Sequence, residues 1–268
     1  MKRLLALLLV MLMIFSLTAC SSGKKDDPKT PGGDDTEDPG GDNEEPGGDT
    51  EEPGGDTGKD LLDGEFFVLE DQTGVFSVFK EFSFTYNTDN KDNEDESYTY
   101  SHKYLDSEVV DYELDGESHS DNAKHFQVTL TEDGQTSVFE AWVNEAGTIV
   151  KAGSKEEGYG TGDSAALKCF GFIFHLIPFY AYNESFSEVF TKDGFAGLGW
   201  QVREHSQGSK DFGAGNVRID KYIFGWSWTE DTFTWEIAKI KSRYVFTQWK
   251  IIGDDETLEM IVARVIPF

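Results

Sequence analysis

Two hydrophobic patterns run along the chain, and the commoner has a period of two. In Val75-Phe76-Ser77-Val78-Phe79-Lys80-Glu81-Phe82-Ser83-Phe84-Thr85-Tyr86, positions 76, 78, 82, 84 and 86 fall on one side of an extended backbone, as in a half-buried strand. Similar stretches are Tyr98–Leu105, Glu108–Leu114, His125–Thr131, Ser137–Val143 and Thr148–Ala152, then Gly199–His205, Val217–Trp228, Thr232–Ile240, Arg243–Ile252 and Leu258–Pro267. Turn-forming runs separate them, among them NTDNKDNEDE, LDGE, EDGQ, NEAG and IGDDET. About eleven strands joined mostly by short turns predict antiparallel hairpins. The expected fold is therefore mainly β, a curved antiparallel sheet or half-barrel.

One segment breaks this alternation. Ser164–Tyr182, SAALKCFGFIFHLIPFYAY, follows GYGTGD, where Asp163 or Ser164 can cap a helix and Gly158, Gly160 and Gly162 give the chain freedom on approach. A helix apolar nearly all round belongs inside a protein or inside a membrane. Eighteen residues would reach about 27 Å, barely a bilayer, and Lys168, His175 and Pro178 interrupt the run. The expectation is one buried apolar helix. Alternation at Phe170, Phe172, Phe174 and Leu176 leaves a buried strand as the second reading.

The N-terminus carries a different signal. Lys2 and Arg3 precede an apolar run, Leu4 to Phe15, that is too short to span a membrane unaided. The run leads into Leu17-Thr18-Ala19-Cys20, which resembles the lipobox of prokaryotic lipoproteins. That resemblance implies a signal peptide over residues 1–19, diacylglycerol on the Cys20 thiol, and a fatty-acylated chain held to the extracytoplasmic side of a cell membrane. Two acyl chains suffice for stable anchoring, where one gives only marginal binding.

Composition then changes. Residues 21–60 contain ten Gly, five Pro, fourteen Asp or Glu and four Lys, with no aromatic, Val, Ile, Leu or Met. Such a segment cannot bury enough apolar surface to offset chain entropy, so residues 20–60 read as an acidic, disordered Pro/Gly linker after the lipidated cysteine. Copies of EEPGGDT give it a seven-residue period without the apolar seam of a coiled coil. The ectodomain is then 61–268. Of the chain's net charge of −28, the linker holds −10 and the signal +2, leaving −20 for that ectodomain. Nucleic acid and anionic membrane surfaces are poor partners for such a domain.

Chemical motifs are sparse. GTGDSAAL resembles the Gly-Asp-Ser start of one esterase family, with Ser164 as nucleophile, but the later Asp two residues ahead of a catalytic His that the family also needs is missing at His175 and His205. The Gly-x-Ser-x-Gly elbow and the Gly-Lys-Ser/Thr of a phosphate loop are absent too. His119, Asp121 and His125 lie close in sequence, with His102 one predicted hairpin away, at no recognised zinc spacing. Asp89–Glu96 is rich in oxygen ligands but lacks the glycine of a calcium loop, and reads as a solvated hairpin tip with at most weak calcium affinity. Cys169 reads as a buried thiol. No catalytic residue, metal or cofactor is assigned.

The aromatic cluster YIFGWSWTEDTFTW offers the strongest contact surface. Tyr222, Phe224, Trp226 and Trp228 share one side of a strand, and Phe233 and Trp235 one side of the next. Such rows stack on sugar rings, line apolar pockets, or pack sheet against helix. A long antiparallel sheet, one apolar helix and a lipid-anchored N-terminus are similar in outline to the half-barrels of envelope lipoprotein carriers, whose sheet wraps helices around a hydrophobic cavity. The expected function is a non-enzymatic, tethered binding module for an apolar small molecule or lipid, with Phe174, Trp226, Trp228 and Trp235 as contact residues. The competing expectation is a structural or adhesive domain that touches glycans or proteins.

Overall fold

The computed structural model describes residues 65–91, 95–187, 200–226, 231–253 and 255–268. Among these described residues, twelve strands form a single curved, unclosed sheet: β1 (Glu65–Phe66), β2 (Phe79–Asn90), β3 (Ser97–Leu114), β4 (Glu117–Glu132), β5 (Gln135–Val143), β6 (Ile149–Ser154), β7 (Gly158–Thr161), β8 (Trp200–Asp211), β9 (Asn216–Trp226), β10 (Thr232–Ile240), β11 (Arg243–Ile252) and β12 (Glu256–Pro267). Their order across the sheet is β7-β6-β5-β4-β3-β2-β12-β11-β10-β9-β8. Two sequential meanders thus meet along β2 and β12. Every ladder is antiparallel except that of β1, whose two residues pair parallel with Arg243 and Tyr244 of β11. The mainly β expectation holds.

Turn chemistry explains the tightest hairpins. Asp115 and Gly116 have φ of 53° and 80°, and Asp133 and Gly134 have 50° and 74°. Positive φ at both central residues is the two-residue hairpin geometry that matches strand twist, and Asp-Gly tolerates it. The sequence pattern erred at two places. Val75–Val78 is not strand but part of a five-residue helix, α1 (Gly74–Val78). Tyr98–Leu105 and Glu108–Leu114 are one strand, β3, with a bulge at Leu105: Tyr104 pairs with Phe126, and Asp106 with His125. An inserted residue exchanges the two faces of a strand. Tyr100, His102 and Phe126 therefore join the main core, while Val110, Tyr112 and Ala123 pack with Trp142 and Val150 in a smaller one.

Since β7 and β8 lie at opposite ends of the sheet order, the chain joining them must cross the sheet's face. Over its described residues that crossing is helical: α2 (Asp163–Ile173), a 3-10 turn at Phe174–Leu176, and α3 (Ile177–Ser187). Pro178 accounts for the break. It has no N–H to offer the carbonyl four residues back, at Phe174, and it suits the first turn of a new helix. Ala165, Cys169, Phe172, Leu176 and Phe179 form a buried stripe at alternating spacings of four and three. Phe179 packs on Phe82 at 4.4 Å and within 6.2 Å of Phe79 and Phe84, while Phe172 meets Phe139 at 5.6 Å. The Tyr98 hydroxyl donates to the His175 carbonyl at 3.1 Å, and Asn183 accepts from the Phe246 N–H at 3.3 Å. Rings occupy the space between this helix and the strands beneath it.

Candidate functional site

The helix that crosses the sheet is apolar on two sides, and only one is used for packing. Leu167, Phe170, Phe174 and Ile177 recur at spacings of three, four and three on the other side, exposed by 75%, 57%, 52% and 42%. Phe170 and Phe174 meet edge to face at 4.8 Å. Asp163–Ala181 is long and apolar enough to cross a membrane by length and composition, with 28% of it buried. Its buried stripe, however, is fixed to the sheet. From Ser164 to Asn183 there is no Asp or Glu, in a chain that has 51 of them. The expected buried helix is thus half buried, and Phe174 lies on its open side. An exposed apolar row of this kind is a candidate contact surface.

The other aromatic candidates divide. Trp235 is 1% exposed, with its ring 5.1 Å from Phe224 and 5.6 Å from Phe246. It is core, not a ligand platform, because its cross-strand partners Tyr222 and Trp249 share the same buried face. The side chain of Trp226, all of Trp228, and Cys20 lie outside the described residues. Beside Tyr222, the His205 ring stacks at 4.3 Å and its Nε2 lies 3.0 Å from Asp220. Burial pushes the Asp220 carboxyl up, but hydrogen bonds from Arg218 and His205 outweigh it and hold the group below its ordinary value. That charge serves the sheet itself.

Ser164 and His119 line an open polar recess of about 750 Å³ with Asp111, Tyr112 and Asp163. Within it, Ser164 Oγ donates to the Thr161 carbonyl at 2.8 Å and accepts from the Thr161 N–H at 3.0 Å, so it ties β7 to α2. His119 stacks on Tyr112, whose hydroxyl donates to Asp121 at 2.6 Å. Of the approach glycines, Gly160 and Gly162 are close-contact positions, while Gly158, at φ 77°, has open space around it. A Cβ on Gly162, at φ 54°, would fall 1.6 Å from the Glu113 carbonyl oxygen, and one on Gly160 would fall 2.7 Å from that of Ser164.

Of the candidate histidines, His102 separates from the other two. His119 and His125 share one face of β4, six residues apart, and His125 stacks on Trp142 at 4.1 Å and reaches Asp106 at 3.1 Å, whereas His102 is buried in the main core on the opposite face of the sheet. Among the described residues no three His, Cys, Asp or Glu side chains come together as metal ligands. Of the acidic tip, Asp89–Lys91, Asp95 and Glu96 are described and hold the β2–β3 connection: Asp95 accepts from the Asn90 N–H and Lys91 pairs with Asp255 at 3.5 Å. Cys169 is free and buried, its thiol donating to the Ala166 carbonyl, and burial pushes its pKa up.

Sequence reasoning missed Leu167, Phe170 and Ile177 as surface residues. The available signal was the helix's apolar character all round, because a sheet lying on one side can cover only one stripe. No protein-family model matches the chain, and no curated protein does. One solved structure, MucB in complex with MucA(peri), is similar over 68% of this chain and 88% of the matched chain, at 8% identity and a TM-score of 0.14.

Proposed function

We propose that this chain is an extracytoplasmic lipoprotein, lipidated at Cys20 and tethered by residues 21–60, whose β ectodomain is a non-enzymatic binding module for an apolar partner. The observation that carries the binding reading is the row Leu167, Phe170, Phe174 and Ile177, four large apolar side chains left open on a helix whose other stripe is already packed. Leaving such a row in water forgoes about 25 cal/mol for each Å² that a partner would cover. The anchoring reading rests on the charged start, the apolar run and the lipobox resemblance. The non-enzymatic reading is supported by Ser164, the one nucleophile the sequence suggested, being engaged on both sides by Thr161. We put the ligand on the outside of the helix because, among the described residues, Phe172 and Phe179 pack directly on Phe79, Phe82, Phe84 and Phe139 of the strands beneath it. For the glycan alternative, burial of Trp235 removes one of its three rings.

Two measurements test this. Cells expressing the chain and fed a radioactive fatty acid should label it, and Cys20→Ser should abolish the label; an unlabelled parent chain overturns the anchoring. The dye 1-anilinonaphthalene-8-sulfonate should brighten on the native full chain and lose most of that signal in Phe170→Glu/Phe174→Glu. An equal signal from the variant overturns the binding surface.

A further inference from the structure

We infer that the apolar face of α2–α3 rests in the acyl-chain boundary of the membrane itself, so that the binding module's ligand is a zwitterionic lipid surface. The inference deepens the reading above and rests on it. Geometry comes first. Leu167 to Ile177 extends about 15 Å along the helix axis, and the buried stripe opposite holds that axis flat against the sheet. A helix so fixed cannot cross a bilayer, but it can lie in the interface and bury its apolar side about 5–10 Å deep.

Charge comes second. Acidic residues occur throughout the ectodomain, which carries −20, yet none falls between Ser164 and Asn183, where the basic side chains are Lys168 and His175. Residues 164–183 can therefore face lipid without inserting a carboxylate of their own. The remaining charge selects against anionic headgroups, which repel it over roughly a Debye length of 8–10 Å.

Size decides between lipid and a second copy of the chain. Four partly exposed side chains offer a few hundred Å², well short of the about 800 Å² per partner that a stable protein interface buries. A patch that small does not hold a free protein on a membrane either, so a second attachment is needed. Cys20 supplies it. As a flexible coil, the 40 residues from 21 to 60 reach roughly 35 Å, which keeps the helix at an effective concentration of order mM beside the bilayer. The chain also enters the fold beside the helix, since the Tyr180 hydroxyl on α3 donates to the Glu70 carbonyl at 3.4 Å.

The test uses the full chain, purified with its lipid and reconstituted in phosphatidylcholine vesicles that contain a phospholipid with a photoactivatable diazirine on its acyl chain. Illumination and peptide mapping should place crosslinks in the helix, centred on residues 167–177. Leu167→Glu/Phe170→Glu/Phe174→Glu should cut them at least tenfold, with an unchanged melting temperature and unchanged fatty-acid label on Cys20. Phosphatidylglycerol in the vesicles should lower the yield. The inference is overturned by a wild-type helix that takes no label, by a variant that keeps its label, or by a yield that rises with anionic lipid. It is also overturned if the wild type dimerises without vesicles and the variant does not, because a second copy is then the occupant. Absence of fatty acid on Cys20 defeats the lipoprotein reading separately, whatever the helix does.

Discussion

The imidazole of His102 donates from Nε2 to the carbonyl of Phe79, at 3.1 Å and twenty-three residues earlier in the chain. Its Nδ1 accepts from the Tyr100 hydroxyl at 3.3 Å, and the rings of Phe76, Phe82 and Phe126 surround it. Both nitrogens are satisfied only in the neutral form, and Phe79 is the first residue of β2 after α1, so the histidine pins that junction. Burial pushes its pKa down to about 4.

Stability should therefore depend on pH through His102. The unfolded chain takes up this proton near pH 6.5 and the folded chain only near 4. The contribution is complete above pH 6.5 and is lost as pH falls from there through 4, at most about 3 kcal/mol. Denaturant titrations of the full chain at pH 7 and pH 4.5 should differ by about 2–3 kcal/mol from this group. His102→Gln, which keeps an N–H for Phe79 but cannot titrate, should remove most of that difference even if it lowers stability at pH 7. Equal pH dependence in the two proteins would refute it.

The two stripes of the helix should respond differently to truncation. Phe179→Ala removes a fully buried ring from among Phe79, Phe82 and Phe84 and should cost about 3–5 kcal/mol. Phe174→Ala, a change that would be equally costly in a fully buried helix, should cost less than about 1 kcal/mol because its ring faces outward. Urea midpoints of the two variants measure the contrast, and equal losses would contradict it.

Gly162→Ala should destabilise by about 3 kcal/mol or more. The new Cβ would meet the Glu113 carbonyl, and φ 54° with ψ −127° is a conformation other residues resist. Gly134→Ala, at a turn of similar φ with open space around it, should cost less. A thermal melt of each settles the order.

The Cys169 thiol should react with a disulfide reagent only after unfolding. It is 5% exposed, its proton is shared with the Ala166 carbonyl, and its raised pKa keeps thiolate scarce near neutrality. Absorbance at native and denaturing urea concentrations gives the rates, and reaction at full speed in the native state would be the contrary result.

Some of this was readable in one dimension. Strands β10 and β11 begin and end where alternation placed them, at Thr232–Ile240 and Arg243–Ile252, because each is bounded by turn residues. The Asp-Gly hairpins were equally plain, since few residues accept positive φ. Two extra strands escaped notice. β1 has two residues and β7 is Gly-Tyr-Gly-Thr, and neither is long enough to show a period. Val75–Val78 misled because a single helical turn leading into a strand also puts apolar residues at alternate positions.

What the sequence by itself determined was the local and the periodic: the mainly β class, the turns, an acidic Pro/Gly segment behind Cys20, and a helix apolar all round. Tertiary structure alone decided which residues share a side. One inserted residue at Leu105 lets Tyr100 and His102 face the main core while Val110 and Tyr112, at the same parity along the strand, pack on the other face, and no local pattern records where a bulge will fall. Likewise the stripes Cys169-Phe172-Leu176-Phe179 and Leu167-Phe170-Phe174-Ile177 are equally apolar, so helical periodicity cannot choose between them. The sheet chooses. With β7 and β8 at opposite ends of the strand order, the helix must cross the sheet's face, and it can turn only one stripe toward Phe79, Phe82 and Phe84. The stripe left over, Leu167-Phe170-Phe174-Ile177, stays exposed.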